Sequence, residues 1–121
     1  MKIVFVAGPY RGDCSEENKI NNIEIARKHI RNLIEANIPY YSPHLNINQE
    51  LVKDGNDYTK LAFSINQTIL EKCNVLAVLP GWKQSSGTIA EIEYAKRNSL
   101  PIVYLENNTA IEDLKKLYKK N

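Results

Sequence analysis

The chain has 121 residues, 43% of them apolar and 25% charged, with 16 Lys+Arg against 14 Asp+Glu for a net charge of +2. At roughly 100–200 residues per domain this is one domain over residues 1–121, and so even a balance argues against polymeric nucleic acid or a membrane surface as partner. The longest apolar runs, residues 3–7 and 75–79, are five residues each, against about 20 for a membrane span and about 7–15 for a secretory signal.

Residues 2–7 form a continuous apolar, β-branched run ending at Gly8-Pro9, the pattern of a strand buried on both faces. Asp13 or Ser15 then caps a helix whose apolar positions Ile23, Ala26, Ile30 and Leu33 recur at helical spacing to about Ala36. Residues 38–41 read as a short second strand stopped by Pro43, and residues 46–52 as a short helix or loop broken by Gly55-Asn56. Leu61, Ile65 and Ile69 mark a helix over about residues 58–72. Residues 75–79 are a third buried strand, ending at Pro80-Gly81. Residues 85–98 form a helix with Ile89, Ile92, Ala95 and Lys96 toward the sheet, and residues 101–105 a fourth strand. Ile111, Leu114, Leu117 and Tyr118 share one face of a last helix. Its Lys115, Lys116, Lys119 and Lys120 are a solvated, dipole-compatible last turn.

This alternation predicts an α/β fold: a flavodoxin-like or Rossmann-like three-layer sandwich with a small parallel sheet in the order 2-1-3-4, a fifth strand left open. Ligands of such sheets bind where the chain diverges beyond the carboxyl ends of adjacent strands. Here those places are residues 8–15 and 80–87.

In the first loop, Gly8 and Gly12 permit close backbone approach by a ligand. Arg11 offers a planar fork for phosphate or carboxylate, and Tyr10 can stack on a base or bond a sugar hydroxyl. The plain alternative is a strand-to-helix turn with an exposed Tyr and Arg. There is no Gly-x-Gly-x-x-Gly string and no Gly-Lys-Ser/Thr P-loop. The second loop carries the only tryptophan, Trp82, a ligand wall or a cap over the core. Ser85 or Ser86 can cap the following helix, and the hydroxyls and amides there can hold an oxyanion. Glu91 follows in the first turn or so, where the helix dipole favours the ionised form. Such a carboxylate can attack an anomeric carbon, or it merely complements the dipole. Glu93 faces away from Glu91 and reads as solvated.

His44, after the second strand, can contact a ligand or donate a proton near neutral pH, or simply bond backbone. His29 reads as solvated and Cys73 as a small core residue. Cys14 and Cys73 are 59 positions apart and make no metal pair or disulfide framework. That predicts a reducing, cytoplasmic setting. No His/Cys/Asp/Glu group has metal-ligand spacing, so neither a metal nor another cofactor is expected.

Three strings now act together: Val6-Ala7-Gly8-Pro9-Tyr10-Arg11-Gly12, Pro43-His44-Leu45 and Leu79-Pro80-Gly81-Trp82-x-x-Ser85-x-Gly87-x-x-x-Glu91. They are spread as in the nucleoside 2-deoxyribosyltransferase-like superfamily, and the chain resembles small bacterial and phage members of it over residues 2–105. The resemblance implies cleavage of the N-glycosidic bond of a nucleoside or 2′-deoxynucleoside 5′-monophosphate, with Glu91 as nucleophile and a covalent glycosyl-enzyme. Arg11, Gly12 and Ser85 match the phosphate-holding positions of the nucleotide N-hydrolase branch. Tyr10, Trp82 and His44 would frame sugar and base, and Gly8, Pro9 and Gly87 would also bind substrate. Two positions depart from the pattern. The family's first-strand Tyr, whose hydroxyl touches the nucleophile, is Phe5 here, leaving Tyr10 as substitute. The acidic residue on the helix before the third strand is Asn66, which shares a stripe with Ala62, Ile69 and Cys73. An amide bonds a base but does not protonate it, so Asp13 or Asp57 would have to act as acid, or turnover would be slow or absent.

The readings that follow are an N-hydrolase, a deoxyribosyltransferase moving the sugar between bases, and a nucleotide-binding sensor without turnover. A weaker likeness, of Leu79-Pro80-Gly81 with Gly87-Thr88 and Glu91 to cytokinin-activating phosphoribohydrolases, points to the same bond. The partner expected is a small nucleoside or nucleotide. A chain this short walls only part of such a ligand, so a homodimer or higher homo-oligomer is expected.

Overall fold

The computed structural model describes residues 1–9, 16–46 and 55–119. Strands β1 (Val4–Ala7), β2 (Tyr40–Tyr41), β3 (Val75–Val78) and β4 (Ile102–Tyr104) form one sheet in the order β2-β1-β3-β4, with every pairing parallel. Helices α1 (Glu16–Glu35), α2 (Pro43–Asn46), α3 (Gly55–Lys72), α4 (Ser86–Arg97) and α5 (Ala110–Lys119) flank it. The expected order 2-1-3-4 holds, and no fifth strand joins it among the described residues.

β1 and β3 are the central strands and are buried at every position, because helices cover both faces of a parallel sheet. The two-residue period of a strand then divides the core in two. Val4, Val6, Val75 and Ala77 meet Ala26, Ile30 and Leu33 of α1 and Ala110 and Leu114 of α5. Phe5, Ala7, Leu76 and Val78 meet Leu70 of α3, Cys73 just after it, and Ile92 and Ala95 of α4.

Several boundaries differ from the sequence reading, each for a local reason. β2 is shorter than residues 38–41 because Asn37 and Ile38 finish α1. Asn37 is left-handed (φ 59°), its amide bonds Ile34 O at 3.0 Å, and the Ile38 amide bonds Leu33 O at 2.9 Å, which is a Schellman cap. Ser99 (φ 55°) and Leu100 end α4 the same way, on Lys96 O and Ala95 O. Pro43 opens α2 rather than merely ending a strand, since proline suits a first helical position. α3 begins at Gly55, ahead of the expected residue 58. Residues 47–52 of the expected short helix or loop lie outside the described residues. In α4 the buried residues are Thr88, Ile92 and Ala95; Ile89 is half-buried and Lys96 exposed.

The apolar stripe expected on α3 is the largest departure. Leu61 and Ile65 are 55% and 44% exposed, while Leu70 and Cys73 face the sheet. Two constraints explain this. Only two residues separate Lys72 from Val75, so the last turn of α3 fixes its rotation. An 18-residue helix is also about 27 Å long, whereas the four residues of β3 span about 13 Å. The first half of α3 therefore runs past the carboxyl end of the sheet.

One glycine is fixed by packing. A Cβ on Gly8 would lie 2.6 Å from Leu79 Cβ, whereas one on Gly87 meets nothing within 4 Å. Urea unfolding should show Gly8→Ala destabilised by about 1–3 kcal/mol as an overpacked site, and Gly87→Ala within about 0.5 kcal/mol of the parent.

Candidate active site

The carboxyl ends of β1 and β3 are joined before any ligand is considered. The Leu79 amide donates to Ala7 O at 2.8 Å, and Gly8 lies against the Leu79 side chain. Pro9 Cγ is 3.4 Å from where a Cβ of Gly81 would sit, and Gly81 itself is left-handed at φ 86°. So the close approach expected of a ligand at Gly8 is made by Leu79. Tyr10, Arg11, Gly12, Asp13, Cys14 and Ser15 lie outside the described residues.

β2 adds a third tie. His44, on α2, is 4% exposed, and its Nε2 meets Pro9 O at 2.7 Å. A carbonyl oxygen only accepts, so Nε2 carries the proton. Burial lowers the His44 pKa, and the bond to Pro9 opposes that only in part, so the ring is neutral. Of the two sequence readings, the geometry at Nε2 is that of the backbone-bonding histidine.

After β3, Pro80 and Gly81 lead into a 3-10 turn, Trp82–Gln84. Trp82 is half-buried; its ring lies 5.4 Å from that of Tyr104 at a 43° tilt, and Nε1–H reaches Glu106 Oε1 at 3.4 Å. Lys83 Nζ stands 5.6 Å from the indole centroid. These are the contacts of a cap over the α3/α4 side of the core. Ser85 is the N-cap of α4: its Oγ accepts from the Thr88 amide at 3.3 Å and from the Thr88 hydroxyl at 2.9 Å. Both bonds use oxygen lone pairs, which leaves the Ser85 O–H proton for an outside acceptor. The amides of Ser86 and Gly87 are first-turn donors with no carbonyl four residues back inside the helix. Gly87 is exposed and adds no side chain in front of them. This end of α4 suits an anion.

Glu91 is one turn below Gly87 on the same face of α4, beside the buried stripe of Thr88, Ile92 and Ala95. It is half-buried, and loss of water raises its pKa to about 7. This corrects the expectation of a dipole-ionised carboxylate. Glu91 is the sixth residue of α4, and the dipole's effect fades within the first turn. Glu93 is exposed, as expected.

Asn66 is half-buried on α3 in the stripe of Ala62, Ile69 and Cys73, while Asp57 falls in the first turn of that helix. Phe5 is fully buried, its ring 5.8 Å from that of Tyr41. Tyr41 brings a phenol beside Phe5, which no sequence signal shows; it follows from the register that sets Phe5 opposite Tyr41. The sequence reading missed Thr88, 1% exposed and holding Ser85; the signal was the Ser-x-x-Thr capping spacing.

Cys73 is a free, buried thiol whose pKa burial raises to about 11, an inert core residue as expected. His29, expected to be solvated, is half-buried, its pKa lowered by burial and then by Lys28, and it lines a 130 Å³ crevice with Asn32, Asn107 and Asn108 between α1 and α5, across the sheet from Glu91. Among the described residues no group of His, Cys, Asp or Glu is gathered as for a metal ion, and no helix is long and apolar enough to cross a membrane.

One parallel sheet between two layers of helices defines the class as a three-layer α/β fold. Within that class, residues 2–105 match the family described as a domain of unknown function, DUF7768, and the chain belongs to it. No curated protein matches. Among solved structures, a 2-deoxyribosyltransferase from the psychrotolerant bacterium Bacillus psychrosaccharolyticus has the same fold (TM-score 0.61, 14% identity, covering 84% of this chain and 70% of that one). A conserved protein from Enterococcus faecalis V583 does too (TM-score 0.60, 19% identity, covering 99% and 76%).

The Glu91 environment makes a stability prediction. Its folded pKa of about 7 stands above the ordinary carboxyl value of 4.5, so the folded state holds the extra proton between those values. Stability is then full below pH 4.5, falls as pH rises toward 7 and is level above it. Glu91→Gln should remove that slope. Denaturant titration should find it more stable than the parent at pH 8, by at most about 3 kcal/mol, and nearly equal to it at pH 4.5.

Proposed function

We propose that this protein cleaves the N-glycosidic bond of a nucleoside or 2′-deoxynucleoside 5′-monophosphate, with Glu91 as nucleophile. The observation that carries the reading is the pairing on one helix end of an open anion cradle, at Ser85, Ser86 and Gly87, with a desolvated carboxyl one turn deeper. The fold shared with a 2-deoxyribosyltransferase supports it.

The Glu91 carboxylate attacks C1′, the bond from C1′ to the base nitrogen breaks, and the base leaves with its electron pair and takes a proton from water. Water then adds to C1′ and gives its proton to the hydroxide left by the first step, the bond from C1′ to the Glu91 oxygen breaks, and the carboxylate is released as the sugar phosphate departs. Arg11, Gly12 and Ser85 hold the phosphate, Asn66 bonds the base, and Tyr10, Pro9 and Trp82 wall the site. No metal or cofactor takes part. The protein works in the cytoplasm as at least a homodimer, in which exposed Leu61, Phe63 and Ile65 of α3 offer apolar surface to a neighbour.

Two further readings have their own discriminators. A deoxyribosyltransferase would form a swapped nucleoside when a second free base is supplied. A nucleotide-binding sensor is favoured by Phe5, which has no hydroxyl, and by Asn66, which has no proton to give; it would bind nucleotide saturably and release no base.

A panel of nucleosides and their monophosphates, followed for free base, tests the proposal. Glu91→Ala should lose activity by on the order of a thousandfold; normal turnover in that variant would sink it. Because the attacking form is the carboxylate, kcat/KM should rise roughly tenfold per pH unit up to about 7 and then level. Light scattering should show a dimer or larger species.

A further inference from the structure

We infer that His44 is the positioning residue of the mouth, fixing the point where the chain leaves β1 through the Pro9 carbonyl rather than meeting substrate. The geometry carries this. Pro9 is the residue at which the chain leaves β1, and proline has no amide hydrogen with which to bind itself to a neighbour. Its carbonyl is therefore its one strong polar handle, and His44 Nε2–H holds that handle at 2.7 Å. The ring doing so is 4% exposed and set on α2, whose start is stiffened by Pro43.

The restraint is passed on. Pro9 rests against Gly81, and Gly8 against Leu79. Gly81 is the cap of the 3-10 turn that delivers Ser85 to the head of α4. One imidazole on β2's exit thus sets the spacing between the exits of β1 and β3. A side chain at position 44 must meet three demands: it must be long enough to reach across from α2, must donate, and must stay uncharged while buried. Leucine meets only the first of these in part, glutamine all three.

The inference rests on the reading above only in naming a phosphate as the ligand of that mouth. Its test therefore begins with readouts that need no activity. In the unmodified protein, imidazole ¹⁵N shifts at pH 7.5 should show His44 protonated on Nε2 and bare on Nδ1; the opposite tautomer would overturn the inference. Amide exchange then compares Leu79, bonded to Ala7 O at the mouth, with Leu76, bonded to Pro101 O. His44→Leu should speed exchange at Leu79 by roughly three- to tenfold relative to Leu76, and His44→Gln should restore most of the protection. Equal change at both amides, or equal loss in both variants, would mean a general packing role and would overturn it. With a monophosphate substrate, His44→Leu should raise KM by a similar factor while kcat moves less than twofold. Should Glu91→Ala leave base release unchanged, the glycosidase reading falls, and the tautomer and exchange results still decide the role of His44.

Discussion

The sheet is too short for its helices, and the site is a consequence. β1 and β3 are four residues long, while α1 and α3 are 20 and 18. Both helices run antiparallel to the strands they flank, ending close to the start of the next strand. Their excess length must therefore project past the carboxyl edge of the sheet. A parallel sheet already exposes its loop-borne groups at that edge; here the first halves of two helices rise beside it. The cost is visible on α3, where Leu61 and Ile65 lack a sheet to cover them. What keeps such an edge from splaying is the set of short-range ties across it: Gly8 on Leu79, the Leu79 amide on Ala7 O, Pro9 on Gly81, His44 on Pro9 O.

Two negative groups at one helix end would ordinarily repel, and the proposed site would separate them by depth. A substrate phosphate at the Ser86 and Gly87 amides would sit where the dipole is strongest and water is present. Glu91, one turn below and half-buried, has lost that water. Burial holds its proton near neutrality, so the carboxyl is neutral for part of the time in the empty protein. A group poised at about 7 can switch between both forms during a reaction cycle with little free-energy cost.

The strand order was legible because runs such as residues 75–79 are apolar throughout and alternate with helical spacings, which leaves few right-handed arrangements. Ser85 as cap and Cys73 as core were legible for equally local reasons. What was not legible depends on distance rather than type. Nothing in Gly8 says that its neighbour will be Leu79, 71 positions on. The exposure of Leu61 depends on the length of a strand elsewhere in the chain. The ionisation of Glu91 could not be read from its place in α4 alone, because desolvation by packing outweighed a dipole already weak at the second turn. His29 is half-buried rather than fully exposed for the same reason: it shares a crevice with Asn107 and Asn108 of the β4–α5 connection.

The two faces of the sheet divide the work. The α1/α5 face is closed mainly by aliphatic residues with Tyr40 and Tyr118 packed against them, a Schellman cap on α1 and a bond from Lys2 Nζ to Leu117 O. The α3/α4 face carries Thr88, Glu91, Asn66 and Tyr41 beside its apolar set. Polar groups placed there cost desolvation, and Glu91 registers that cost in its raised pKa. A chain of 121 residues can carry such a group only if the opposite face and the short ties at the mouth hold the strands in place without it. The buried imidazole of His44 belongs with those ties, its Nε2–H held by Pro9 O at 2.7 Å.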